Sequence, residues 1–589
     1  MKKKIMSLLL CGAMVATMFA GCGSSAESSQ SESTGESASA GESDYSKELT
    51  LDVYDDFANY NGEQTGWFAK IIKDKFNIKL NIIAPNVAGG GDTLYQTRTA
   101  AGDLGDLILV GTSNGRLTDL VESGLVLELS DYMKDKDVTK NYSGAIEAAN
   151  KGLEGTYAMP YSVSTDPATV SGEGTEPTFG PYVRWDYYKE MGYPEVKDLN
   201  GLLDMLEEMQ ALARKKEGTN DIYAFSFFKD WDGNMMNNAK QPTCMYGYDE
   251  LGFVLSKYDG SEDIDILADN SPYLEVLKIY YEANKRGLVD PDSTTQNYDT
   301  MSSKYSQGKI LFCPWPWASK SLFNTQENTS AGKGYQMIPI SNMKIFSYGA
   351  TPEGNTTQAI CIGSKAEDPQ RIADFIDWLY SPEGVECNEQ GNGAQGPKGL
   401  SWDLDDDGKP YITEFGKKAL PSNDTEVPEE WGGGSWKDGV SALNFKCVSL
   451  EDPDPNAGGA KYDYTTWESY LNAAATPLDE DWSAQMGGAK TTMEYLKKND
   501  MLGIAPGTTY STPVEDSNIS TIRGQVKATI VDNSWQMIFA ESDEQFESIK
   551  ASMIETAKGL GYDDCLKVDF QNAKDQNAAR AEAAKEYSK

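Results

Sequence analysis

Two features of this sequence decide what chemistry it can do. Trp, Tyr and short polar side chains crowd the stretches that follow apolar runs, and histidine is absent. The first feature points to binding, with aromatic plates for an apolar face and hydrogen-bonding groups for a polar rim. The second removes Ser–His–Asp and Cys–His triads, HExxH zinc sites and imidazole acid–base chemistry together. Catalysis would fall to carboxylates, Lys, Tyr, Ser or Cys. Acids are plentiful, but spacing singles out no pair of them as the acid and base of a glycosidase.

A second constellation is metal-like. Asp403-Leu-Asp405-Asp-Asp407-Gly408-Lys409-Pro-Tyr-Ile-Thr-Glu414 fits D-x-[DN]-x-[DN]-G-x5-E at every specified position. In a calcium loop the alternate acids turn inward, the glycine allows the bend, Lys409 offers its carbonyl and Glu414 closes as a bidentate ligand. Such a calcium ion would be structural, pinning the loop beside Trp402. Pro410 stands where an aliphatic residue is usual and no clear helix leads in, so a solvated Asp-Gly turn is the competing reading.

The elements that position these residues follow from composition and periodicity. The chain has 589 residues, 39% hydrophobic and 24% charged, as expected of a globular protein with more than one folding unit. Its formal charge of −39 argues against a nucleic-acid partner. Lys2-Lys3-Lys4, an apolar stretch from Ile5 to Phe19 and Ala20-Gly21-Cys22 read as a leader over residues 1–21, too short to span a membrane. Residues 22–47, rich in Ser, Glu, Gly and Ala, read as a flexible tether. Beyond Cys11 and Cys22, the six cysteines show no C-x-x-C and read as separate, mostly buried thiols.

In the body, strands are expected at 49–53, 79–83 and 106–110, alternating with helices, which indicates an α/β fold with a parallel sheet. Helical spacing recurs at Leu199, Leu202, Leu203, Leu206 and Met209, and at Ile372, Phe375, Ile376 and Leu379. Ser542 and Gln545 form a capping-box pattern before a helix that stops at Gly559 or Gly561. From 386 to 530 periodicity is poor, and long surface excursions are expected.

Several segments, in order over residues 49–385, resemble the sugar-binding lipoproteins of bacterial ABC importers, the family of maltose-binding protein. Ala20-Gly21-Cys22 resembles a lipobox, with Phe19 departing from it, and implies a diacylglycerol on Cys22. Ala101-Gly-Asp-Leu-Gly-Asp-Leu-Ile-Leu109 resembles the family's GD-x-PD strand entry, with Gly105 in place of Pro. Gly124-Leu-Val-Leu-Glu-Leu-Ser130, Gly155-Thr-Tyr-Ala-Met-Pro-Tyr161 and Val183-Arg-Trp-Asp186 are similar to later family segments. So are Gln307-Gly-Lys-Ile, Pro314-Trp-Pro-Trp317 and the helix from Asp368 to Trp378.

The resemblance implies a two-lobed, periplasmic-binding-protein-like α/β fold (Venus flytrap, type II) with a ligand cleft between lobes. Lobe 1 is expected over 48–160 plus 340–385 and lobe 2 over 161–339 plus 386–540. A C-terminal helical segment, 541–589, would pack on the lobes. Hinge closure would present both lobes of a monomer to a membrane permease driven by a separate ATPase; this chain itself has no P-loop motif.

Ligands in such sheets sit beyond the carboxyl ends of strands. That rule and the resemblance together nominate Asp56, Trp67, Thr112, Ser113, Asn114, Tyr161, Trp231, Asp232, Trp315, Trp317 and Trp402. Trp315 is the leading stacking candidate, its alternative being an interior ring that braces Pro314 and Pro316. Trp67 and Trp317 divide between cleft and core, Tyr161 between ligand and hinge, and Thr112, Ser113 and Asn114 between cleft and turn. Trp431 and Trp436 share the irregular region with Trp402, and the sequence does not rank the three. Arg184 and Asp186 read as a structural ion pair.

The function expected is capture of a carbohydrate, a neutral oligosaccharide in view of the few Lys and Arg in these loops. The alternatives are a receptor for peptide or another solute, and a carboxylate-dependent glycoside hydrolase. The expected site is the outer face of the membrane of a Gram-positive bacterium, with Cys22 as the lipid anchor.

Overall fold

A computed structural model describes residues 44–88, 91–421 and 424–587. The leader, Cys22 and most of the tether lie outside the described residues, as does the side chain of Asn114. No helix among the described residues is long and apolar enough to cross a membrane.

The strand Leu49–Asp55 alternates buried and less buried residues before becoming buried throughout. It pairs in parallel with Ile78–Ile83 on one side and Leu107–Gly111 on the other. Leu107 to Val110 are all buried, as a strand covered on both faces requires. These are the three strands expected from the sequence. The rest of the six-stranded sheet is antiparallel. Asn355–Ile362 pairs with Leu107–Gly111 and with Met159–Tyr161, and Gly62–Glu63 pairs with Ile78–Ile83.

This sheet is covered by the helices Gly66–Phe76 and Pro369–Leu379, the second capped by Asp368 and burying Ile372, Phe375, Ile376 and Leu379. A separate core forms around the three-stranded sheet of Tyr182–Arg184, Phe312–Cys313 and Tyr335–Met337. Helix Leu199–Glu217 packs there through Leu202, Leu203, Leu206 and Met209, with Asp198 accepting from the backbone of Gly201. Arg184 and Asp186 form the expected ion pair, two parallel bonds of 2.9 and 2.8 Å.

The chain visits the two cores alternately. The first is built from residues 49–163 and 359–467, the second from 179–346 and 478–565. Three crossings, near 164–178, 347–358 and 468–477, join them. The lobe assignment made from the sequence therefore needs correction. Residues 386–467 pack with the first core, through Leu400, Trp402, Trp436, Phe445 and Trp467, and not with the second. Ile340, Ile345 and Phe346 belong to the second core.

Three long helices, Ser517–Ile538, Asp543–Gly559 and Tyr562–Glu586, pack on the second core. Ser542 caps the middle one by accepting from Gln545, and the helix ends at Gly559. The capping box is displaced by a residue, because the Gln545 side chain reaches the N–H of Glu541. Cys244, Cys313, Cys361, Cys387, Cys447 and Cys565 are all buried and free, matching the expectation of separate thiols.

Candidate functional site

Pro316 opens a helix over Pro316–Phe323, where a residue lacking an N–H loses nothing. The residue before it, Trp315, is extended, while Trp317 stands on the first helical turn. A third tryptophan, Trp231, rides on a turn closed by Asp232 N donating to Lys229 O at 3.0 Å. It meets Trp317. Trp231 and Trp317 lie 5.6 Å apart at 42°, and Trp231 stacks on Tyr298 at 4.6 Å. Both remain open to solvent, at 42% and 41% exposure, which is unusual for side chains of this size.

Trp315 lies behind them at 4% exposure, packed against Trp231, Trp317 and Phe228. It is the brace of the cluster, the alternative weighed for it from the sequence, and Trp231 and Trp317 are the accessible plates. Tyr298 has no motif around it. Only its place at the start of helix Tyr298–Ser306, where its N–H donates to Asp230 Oδ2 at 2.8 Å, marks it.

Asp232 is committed to the protein. Its Oδ1 accepts from Asn237 N at 2.8 Å and its Oδ2 from the Trp535 indole N–H at 2.7 Å. Burial raises its carboxyl above the ordinary range, and these two donors oppose the shift. Each oxygen of this rim candidate thus already carries one N–H from the protein.

On the first core, the loops at the carboxyl ends of the strands carry the other candidates. Asp56 Oδ2 accepts from Arg116 at 2.6 Å and from Gly111 N at 3.2 Å. Thr112 bonds the backbone of Thr356 through its hydroxyl and of Thr357 through its N–H. Ser113 is exposed. Tyr161 packs edge-on against Phe445 at 5.2 Å, and burial raises its phenol. These residues shape the strand ends more than they offer free groups.

The same core carries a polar depression of about 680 Å³, lined by Asn59, Tyr60, Gln64, Asn392, Ser441 and Asn444 among others. Gln64 and Asn444 fix its floor, donating to Val440 O at 3.0 Å and Phe57 O at 2.7 Å. Asn59 and Asn392 are exposed at its rim. The sequence reading covered this loop only as the stretch from Asp55 to Trp67 and missed the contribution of 388–444, which comes from far along the chain.

Two other candidates belong to the core. Trp67 is fully buried, stacks on Trp436 at 4.8 Å and donates to its carbonyl at 3.1 Å. Trp402 is also fully buried and donates to Gly396 O at 2.8 Å. Neither faces a cleft, because each indole N–H has found a backbone acceptor inside.

The calcium-loop sequence folds as a hairpin, Trp402–Leu404 pairing with Pro410–Ile412. Asp405 Oδ1 accepts from Asp407 N and Lys409 N at 3.0 and 2.8 Å, and Asp403 accepts from Leu404 N. Glu414 pairs with Lys417 at 2.5 Å. No group of three acids suited to a metal occurs among the described residues. Asp403, Asp405, Asp407, Lys409 and Glu414 are not gathered into a coordinating set as arranged.

A family model for bacterial extracellular solute-binding proteins matches residues 61–386, more than half of the chain. The chain belongs to that family. Solved structures with the same two-lobed α/β architecture agree. One is the S. pneumoniae ABC-transporter substrate-binding protein FusA, as an EF-hand mutant in complex with fructo-nystose. It is 14% identical with a TM-score of 0.54, covering 90% of this chain and 99% of that one. Another is an HMO-binding, ABC-transporter-associated solute-binding protein from Bifidobacterium longum infantis, at 14% identity, TM-score 0.54 and coverage of 89% and 98%. At such identities the likeness is one of fold. No curated protein matches. In this solute-binding protein the family-matched stretch contains the whole aromatic cluster. The hairpin of Trp402 and the three C-terminal helices lie beyond it.

Proposed function

We propose that this solute-binding protein captures a neutral oligosaccharide outside the cell, anchored through a lipid on Cys22, and delivers it to an ABC permease with a separate ATPase. The exposed pair Trp231 and Trp317 on a braced aromatic base carries the reading. A sugar ring offers a C–H face to such plates and a rim of hydroxyls to amides like Asn59 and Asn392. Neutrality follows from the polar depression, where Lys437 and Asp438 offset each other and the remaining polar side chains are amides, hydroxyls and a phenol. The complexes of structural relatives with fructo-nystose and kestose are in keeping with it. A receptor role fits better than hydrolysis, since Asp230 and Asp232 beside the plates are both held by N–H donors.

Calorimetric titration of the mature chain with neutral oligosaccharides, uronates and peptides tests this. Binding to the neutral panel without product release is expected. Trp231→Ala and Trp317→Ala are each expected to weaken it roughly 30-fold, the loss typical of a stacked anchor, with little change in thermal midpoint. Peptide binding, sugar cleavage or indifference to both substitutions would overturn the reading.

A further inference from the structure

The loop that presents Trp231 runs from Lys229 to Met236 and has no regular secondary structure. Its internal bonds are few: Asp232 N to Lys229 O at 3.0 Å and Gly233 N to Met235 O at 3.1 Å. Two consecutive residues of helix Ser517–Ile538 bear on it from outside, Trp535 directly and Ser534 through Tyr273.

At one end, the Trp535 indole N–H donates to Asp232 Oδ2 at 2.7 Å. The same ring lies under the Lys229 ammonium, 4.9 Å from its centre, and Phe539 lies parallel to it at 6.4 Å. At the other end, Met236 N donates to the Tyr273 hydroxyl at 2.9 Å, which is 2.8 Å from Ser534 Oγ. Ser534 spends its own proton on Ile530 O at 2.7 Å, so Tyr273 must be the donor to Ser534. The chain of bonds Met236–Tyr273–Ser534–Ile530 is buried and runs in one direction. It ends on the backbone of the helix.

We propose that Ser534 and Trp535 are positioning residues for the ligand platform, holding the loop Lys229–Met236 so that Trp231 stands beside Trp317 before ligand arrives. This rests on the platform reading above and extends it to a helix outside the family-matched residues 61–386. The physical gain is preorganisation. A loop already held at Asp232 and Met236 does not have to be ordered when the sugar binds. The bond to Asp232 suits the task because an ionised acceptor makes a stronger, more directional partner than a neutral one. Burial raises the Asp232 carboxyl, and the Trp535 N–H opposes that shift, so the bond also favours the charge that strengthens it.

Trp535→Phe keeps an aromatic ring but removes the donor together with part of the buried ring area; Ser534→Ala is the milder second variant and leaves the Trp535 ring in place. Hydrogen exchange on the unliganded full chain is expected to rise about tenfold over residues 229–237 in either variant, and to stay unchanged in helix Leu199–Glu217. Affinity for the tightest binder of a neutral oligosaccharide panel that includes kestose is expected to fall about tenfold in Trp535→Phe. On a Trp231→Ala background the same substitution should change affinity less than twofold, because the two residues act through one contact. Additive losses, or unchanged exchange at 229–237, would overturn the proposal while leaving the platform intact. If Trp231→Ala alone is silent, the fault lies with the platform, and the exchange data still report whether the helix holds the loop.

Discussion

Glu389 is fully buried, and its two oxygens fare differently. Oε1 accepts from Cys447 N and Val448 N at 2.6 and 2.9 Å, whereas Oε2 has no hydrogen-bond partner among the described residues. Burial pushes this carboxyl up to about 8, with Lys446 opposing and Asp452 adding to the rise. Asp452, which bonds Ser164 and Thr165, is raised to about 6 for the same reason; burial also raises Glu386 and Asp454, and the Asp454 charge raises Glu386 further. A carboxyl whose folded value lies above its unfolded one binds its proton more tightly when folded. The stability it contributes is present below the ordinary carboxylate range and is lost as pH climbs through the raised value. The thermal midpoint is therefore expected to fall between pH 5 and pH 8. Glu389→Gln should flatten that fall, recovering up to a few kcal/mol at pH 8 as an order of magnitude. A wild-type curve already flat over this range would contradict the assignment.

The hairpin Trp402–Leu404 and Pro410–Ile412 gives the calcium-like motif a second use. D-x-D-x-D-G is also good turn chemistry, since an Asp side chain can satisfy the N–H groups ahead of it, and Asp405 does this twice. Asp405→Ala is expected to destabilise the protein by about 1 kcal/mol for the lost acceptor. Calcium or EDTA should leave the thermal midpoint in place, and a rise of several degrees with calcium would reinstate the metal loop. Elsewhere the elements were legible wherever a period carried them. The parallel strands, helix Leu199–Glu217 and the Ser542 cap follow from apolar spacing and cap chemistry. Strand Asn355–Ile362 escaped because its first half, Asn-Thr-Thr-Gln, is polar and only Ala-Ile-Cys-Ile is buried. The stretch 386–467 escaped for a different reason. Its core is made of widely spaced tryptophans whose N–H groups bond backbone carbonyls, Trp402 to Gly396 and Trp467 to Lys461. No periodicity announces that arrangement. The same fact removed Trp67 and Trp402 from the site. In the sequence, an indole bound for a ligand and one bound for a carbonyl look alike.

At the scale of the whole molecule, two cores built from alternating parts of the chain meet through three crossings, and those crossings are tightly packed. A side chain on Gly349 would put its Cβ 2.2 Å from Ala168 O, and one on Gly507 would come 1.9 Å from Ala350 O. The first crossing is strapped at its start to the first core by Thr165, whose N–H and hydroxyl both donate to Asp452 Oδ2, at 2.5 and 2.9 Å. Motion between the cores must therefore concentrate in a few backbone torsions while each core moves as a body. A sugar shifts such an equilibrium only by what it gains in the closed form over the open one, so it must touch both cores to close them. The plates of Trp231 and Trp317 belong to the second core and the depression around Asn59 and Asn392 to the first, and a ligand long enough to use both is the one expected to drive closure. Small-angle scattering checks this directly. Saturating neutral oligosaccharide should contract the radius of gyration, and its component monosaccharide should bind without contraction. Trp231→Ala should need far more oligosaccharide for the same change. Equal contraction by the monosaccharide would mean that closure is driven from one core alone, and no contraction by any bound sugar would mean that the crossings are rigid.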